Sequence, residues 1–159
     1  MTTTIATSET TTTSPVGSAS DAGLGPVTYR PGATPDTPGL VLYAVISVRG
    51  RLTIVAATPD DAPAHTLHRR TDFGQMRCCP LAEGITAWAT AEVRVDNPAS
   101  TQIAWQLTEP APDHDGYRFV GPVVFTGTDP DSARPIGLTP AQVLLLRALH
   151  ARAPRAIAD

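Results

Sequence analysis

The chain has 159 residues, is 42% hydrophobic and 17% charged, and carries a formal net charge of −3. That length suits one domain of ordinary size with a tail and is too short for two full domains. All twelve basic residues are Arg, and the small negative balance excludes both a broad basic field for nucleic acid and the strong acidity of a DNA mimic.

Residues 1–38 form a distinct compositional region. Between Thr2 and Thr13 eight positions are Thr, and Gly, Pro, Ser and Asp dominate up to Pro38. A segment with so little to bury does not offset an ordering entropy of about 1–2 kcal/mol per residue. We therefore expect a disordered leader over 1–38, with Val27-Thr28-Tyr29 as its one patch able to make an edge contact. Met1–Ser20 has neither the basic nor the apolar region of a secretory signal. No apolar run reaches the roughly eighteen residues of a membrane span. With adjacent Cys78 and Cys79 and no export signal, the expected setting is a reducing cytoplasm without a disulfide framework.

A single domain is expected over 39–153, with a tail at 154–159. Leu40–Val48 is apolar on both alternating faces, as in a strand covered on both sides. Arg49-Gly50 supplies a two-residue turn and Leu52–Ala56 returns, so 40–57 reads as a hairpin. Ala62–Phe73 fits a short helix or an ordered loop. Met76–Leu81 reads as a short strand ended by Pro80. Over Ile85–Val95 the odd-numbered positions Ile85, Ala87, Ala89, Ala91, Val93 and Val95 share one face. Thr86, Trp88, Thr90, Glu92 and Arg94 share the other, giving a half-buried strand.

Asn97–Leu107 has two readings. Thr101, Ile103, Trp105 and Leu107 alternate like a strand, whereas Ala99, Ile103 and Leu107 fall at helical spacing. Asn97 as an N-cap and Pro98 at the first helical position decide for a helix over 98–107. Thr108–Gly116 reads as a polar loop, and Tyr117–Thr126 as a strand interrupted at Gly121-Pro122, since Pro cannot donate to a ladder. Thr128–Ile136 reads as a loop. The last helix opens with Thr139-Pro140-Ala141-Gln142, a cap, a first-position Pro and a capping-box Gln. Leu145, Leu146 and Leu149 form its apolar stripe, extended before the cap by Leu138. Arg147, His150 and Arg152 complement its C-terminal dipole, and Pro154 stops it. The fold class is α+β, a small sheet built from a β-hairpin and further strands, with two to three helices, the last one C-terminal.

Chemistry-bearing residues are few. His65 and His68, with Cys78 and Cys79, make a nominal His2Cys2 set for zinc. Adjacent cysteines on a strand point to opposite faces and do not reach one ion, so no metal site is assigned. His68, Arg69, Arg70 and Arg77 form the one basic cluster, and Trp88 offers a ring for stacking a base. Asp60, Asp61 and Asp72 flank that cluster and largely cancel its charge. Asp113-His114-Asp115 resembles an acid–base trio but sits in a Pro-rich loop, where a plain turn is the simpler reading. There is no nucleophile elbow, phosphate loop, zinc-protease helix or dinucleotide fingerprint, so no catalytic residue and no cofactor is expected.

Three motifs follow one another: Asn97-Pro98-Ala99-Ser100-Thr101 after the Trp88 strand, Gly121-Pro122-Val123-Val124-Phe125-Thr126-Gly127, and Gly137-Leu138-Thr139-Pro140-Ala141-Gln142 opening the last helix. In that order they resemble the domain-of-unknown-function family 3846, which is carried by phages, plasmids and actinobacterial chromosomes. The likeness covers roughly 39–152, and the chain lacks the Asn/Gly turn expected after Trp88. The resemblance implies a mobile-element context and transfers no catalytic residue. The expectation is thus a small non-enzymatic accessory protein acting through protein contacts, its surface being Trp88 with His68, Arg69, Arg70 and Arg77. The alternative is single-stranded nucleic-acid binding by Trp88 and the same Arg cluster.

Overall fold

The computed structural model describes residues 23–58, 76–90, 94–108 and 118–154. Seven strands are present among them: β1 (Val27–Tyr29), β2 (Val41–Ile46), β3 (Leu52–Ala57), β4 (Met76–Pro80), β5 (Ile85–Thr90), β6 (Val123–Thr128) and β7 (Pro135–Ile136). Two α-helices, α1 (Pro98–Gln106) and α2 (Pro140–Arg152), accompany them. The strands form one mixed sheet in the order β1-β3-β2-β6-β5-β4, with β7 also paired to β6. Only the β1–β3 pairing is parallel. The fold is α+β, as the sequence predicts.

The alternation of side chains across the strands sets up two apolar layers. Ala44 and Ile46 of β2, Ile54 of β3, Ala87 of β5 and Phe125 of β6 face the helices. There they meet Ile103 and Ala104 of α1 and Val143, Leu146 and Leu149 of α2. On the other face Tyr43, Val45, Val55, Ala57 and Val124 form a second buried cluster. Burial on both sides is what the uninterrupted apolar run of β2 predicts. The hairpin turn differs by one position. Ser47 N bonds Arg51 O and Gly50 N bonds Ser47 O, so the tight turn spans Ser47–Gly50. Gly50 then supplies a positive φ of 73°, the arrangement of a three-residue hairpin loop.

Several boundaries move. Residues 23–38, assigned by composition to the leader, belong to the fold: β1 pairs with Ile54–Ala56 of β3, and Leu24 is 1% exposed within the helix-side core. Three residues of strand and one anchoring Leu are enough to order a segment whose composition is otherwise that of a linker. The strand read over 85–95 is described as far as Thr90, and Val95 is 55% exposed rather than on the buried face. Asp96 forms an isolated bridge with Val120 instead. The strand read over 117–126 is interrupted at Gly121-Pro122 as expected, Gly121 taking φ 71° and Pro122 having no N–H to donate; Val120 makes an isolated bridge before the break, and the strand after it runs from Val123 to Thr128, two residues further than read. The loop read over 128–136 contains β7, which closes a hairpin with Asp129 N bonded to Arg134 O. The segments at 1–22, 62–73 and 109–117, and the tail from 155, lie outside the described residues.

Both helices start where their caps require. Asn97 accepts from Ser100 N at 3.1 Å and Pro98 occupies the first turn, so the helix is the reading the structure adopts for 98–106. Thr139 and Gln142 form the reciprocal capping box, with bonds of 2.8 and 3.2 Å. Three polar side chains of α2 reach backbone carbonyls of neighbouring segments. Gln142 Nε2 donates to Glu83 O, Arg147 to Pro26 O at 2.7 Å, and His150 Nε2 meets Gly50 O at 2.6 Å. A carbonyl oxygen only accepts, so His150 carries its proton on Nε2. Arg147 and His150 thus fasten the helix to distant loops, beyond complementing its dipole.

Candidate functional site

The two cysteines separate as strand geometry demands. Cys78 pairs with Trp88 and Cys79 with Ala87, so the thiols lie on opposite faces of β4. Burial first, then the neighbouring Cys78, push the Cys79 thiol up, against a smaller opposite effect of Arg77. Cys79 is therefore a packed thiol rather than a ready nucleophile. Among the described residues no group of three His, Cys, Asp or Glu is placed to hold a metal. His65 and His68, and the trio Asp113-His114-Asp115, lie outside the described residues.

The expected Trp88 surface does not assemble as drawn from the sequence. Trp88 is half-buried against the second apolar cluster, and its Nε1–H donates to Thr126 Oγ1 at 2.9 Å. Arg77 pairs with Ala89, which faces the helices, whereas Trp88 faces the other way. Arg77 and Trp88 thus point to opposite sides of the sheet and share no surface. His68, Arg69 and Arg70 lie outside the described residues.

A different site emerges beside α1. An open groove of about 540 Å³ runs along Pro98, Thr101, Gln102 and Trp105, which share one helical face, and along Arg118 and Phe119 opposite. Asp96 and Pro154 complete its lining. That volume lies within the roughly 300–1,000 Å³ range of ligand pockets. Arg118 grips Asp96 through two hydrogen bonds, the fork-on-carboxylate arrangement. These bonds hold the Asp96 carboxyl below the usual carboxylate range and raise the Arg118 guanidinium. Both side chains are more than half exposed, so the pair's worth is small and its importance lies in placing charge at the rim.

The groove is held by a buried polar knot beneath it. Asn97 is fully buried, and its Nδ2 donates to Gly121 O at 2.8 Å, Ile46 O at 3.2 Å and Ser47 O at 3.3 Å. Thr101 Oγ1 donates to Asn97 O and accepts from Phe119 N at 2.9 Å. One asparagine therefore joins the start of α1 to the end of β2 and the approach to β6. Sequence reasoning identified Asn97 as a cap but not Asp96, Trp105 and Arg118 as a site. The available signal is the polar–apolar stripe 98, 101, 102, 105 at helical spacing; its partners across the groove, Arg118 and Phe119, lie far enough along the chain that spacing does not connect them.

Several polar side chains among the described residues are committed to the scaffold. Thr86, Thr126 and Thr128 are engaged through Thr86–Thr128 and Trp88–Thr126 contacts across the sheet, and Gln142 and His150 are tied to backbone carbonyls. No helix among the described residues is long and apolar enough to cross a membrane. Comparison with protein-family models, with curated proteins and with solved structures found no match to this chain.

Proposed function

We propose that the protein is a small, non-enzymatic accessory protein that acts by binding another protein through the α1 groove. The observation that carries this reading is the groove itself: an open channel with a Trp and a Phe on its walls and an exposed Arg–Asp pair at its rim. Trp and Arg are the residue types that most often carry binding energy at protein interfaces, and polar rims around apolar centres are the usual anatomy. The commitment of other polar side chains to scaffolding supports binding over catalysis. The mobile-element setting rests on the resemblance at 97–101, 121–127 and 137–142, and neighbouring replication or restriction-evasion genes would strengthen it.

The test is affinity capture from host lysate with the wild-type chain alongside Trp105→Ala and Arg118→Ala. The expected result is a protein retained by wild type and lost from both variants while their thermal midpoints stay near wild type. Capture that is indifferent to both substitutions, or no specific capture, refutes the groove as the working surface. The nucleic-acid alternative keeps no support from Arg77 and Trp88 acting together. A single-stranded oligonucleotide titration at low salt tests it, since binding through Arg weakens steeply with added salt.

A further inference from the structure

The chain itself leads into the α1 groove. At one end of the helix pair His150 Nε2 meets Gly50 O at 2.6 Å and Asn97 Nδ2 reaches Ser47 O at 3.3 Å. The close of α2 and the start of α1 therefore flank the same hairpin turn. At the other end Gln142 Nε2 donates to Glu83 O at 2.7 Å and Ala82 N to Leu107 O at 2.7 Å, so the start of α2 adjoins the close of α1. The helices are thus antiparallel, and a chain leaving α2 arrives beside the start of α1. It leaves extended, with Ala153 at φ −71° and ψ 149°, the conformation a following proline favours. Pro154 then stands in the wall of the groove, at the end that holds Asp96 and Pro98.

We propose that the segment following Pro154 is the groove's own occupant, an internal ligand that a partner must displace. Arg155-Ala156-Ile157-Ala158-Asp159 follow, and their order matches the order of the groove. The groove begins at the exposed carboxylate of Asp96 and holds the half-buried Trp105 further along. From Pro98 to Trp105 is seven residues of helix, about 10 Å. From Pro154 to Ile157 is three residues of extended chain, again about 10 Å. Side chains two apart on an extended segment share a face, so Arg155 and Ile157 point one way and Ala156 and Ala158 the other. A segment running on along α1 brings a cation to Asp96 and an isoleucine to Trp105. Arg118 makes two hydrogen bonds to the Asp96 carboxylate, which has about four acceptor positions, so Arg155 joins that pair without breaking it. Both partners being exposed, the attraction sets the direction of the segment more than its strength. Ile157 against Trp105 is the anchor. Direct attachment to the groove wall gives the segment an effective concentration on the order of millimolar, so weak contacts suffice.

This role rests on the groove being a binding surface, and its test needs no external partner. In the isotope-labelled full chain, nuclear Overhauser contacts are expected between the Ile157 methyl groups and the Trp105 indole. Ile157→Asp removes them and shifts the Trp105 indole N–H resonance, while that of Trp88 and the thermal midpoint stay near wild type. Ile157→Val leaves both indole resonances in place. A fluorescent synthetic peptide of residues 153–159 gives a second readout. A segment that fills the groove at least half the time halves the free fraction, so the Ile157→Asp chain binds this peptide about twofold or more tighter than wild type. Absence of the Ile157–Trp105 contacts overturns the proposal, as does an Ile157→Asp chain whose Trp105 resonance and peptide affinity match wild type. Lysate capture that depends on Trp105 and Arg118 without those contacts keeps the groove as a partner site and overturns its internal occupant. The contacts without any capture uphold the internal occupant and remove the protein partner.

Discussion

Asn97→Asp is the most informative single substitution in this fold. Asp and Asn are equally good N-caps, so a residue acting only as a cap tolerates the exchange. Asn97 does more, because its Nδ2 also serves the carbonyls of Gly121, Ile46 and Ser47 from a site with no exposure. Two amide hydrogens are shared among three carbonyls, so at most two bonds count in full. Losing them in a buried site costs about 1–2 kcal/mol each. Asn97→Ala also loses the cap to Ser100 N, about 1 kcal/mol more, for a total of about 3–5 kcal/mol. Asn97→Asp keeps the cap but faces three carbonyl oxygens with a carboxylate, so its cost is at least as large at neutral pH. Against a whole-domain stability of about 5–15 kcal/mol, both variants lose much of the margin. Urea unfolding monitored by circular dichroism measures the difference. An Asn97→Asp variant within about 0.5 kcal/mol of wild type would refute the donor network and reduce Asn97 to a plain cap.

The other predictions are briefer. Leu24→Ala lowers stability by about 2–4 kcal/mol in the same assay, whereas a residue in an unattached leader has no effect. Trp88→Phe removes the indole donor to Thr126 and costs about 1 kcal/mol; an unchanged midpoint means that bond contributes nothing. At Gly127 an added Cβ lies 2.5 Å from Gly137 O, a backbone atom, so Gly127→Ala costs about 1–3 kcal/mol, read as a lower urea midpoint. The carboxyls of Asp96 and Asp129 sit below their usual range, the first through its hydrogen bond from Arg118 and the second through bonds from Asp131 and Ser132. A lowered folded pKa gives stability that is complete above the unfolded carboxylate range near 4 and is lost as pH falls through the lowered value. Thermal midpoints therefore fall below about pH 4, and Asp96→Asn flattens part of that decline.

What the sequence revealed divides along the range of the interaction. Caps are local: Asn97-Pro98 and Thr139-Pro140-Ala141-Gln142 satisfy groups three residues away, and both helices start where those residues place them. Strand alternation is also local, which is why adjacency alone puts Cys78 and Cys79 on opposite faces, as their pairing with Trp88 and Ala87 shows. Pairing is not local. Trp88 finds Thr126 across 38 residues, and nothing near Trp88 announces that its donor is already spent. Arg118 finds Asp96 across 22 residues, so two charges that look unrelated in the sequence become one rim. The leader is legible in part: Val27-Thr28-Tyr29 makes the edge contact its residues suggest, whereas the burial of Leu24 is not announced by its neighbours. Composition averages over a segment, while Leu24 and a three-residue parallel strand act as single points of attachment.

The same division explains why the motifs at 97–101, 121–127 and 137–142 say so much about fold and so little about activity. Gly127 and Gly137 exist to let two backbone segments approach, as the 2.5 Å from a Gly127 Cβ to Gly137 O makes plain. Gly121 takes the positive φ that brings its carbonyl to Asn97, and Thr139 with Gln142 starts α2 while Gln142 also reaches Glu83 O. Each motif is consumed by architecture. Trp105 and Arg118, which line the α1 groove, sit outside all three motifs. A search for function by motif alone therefore finds the scaffold first.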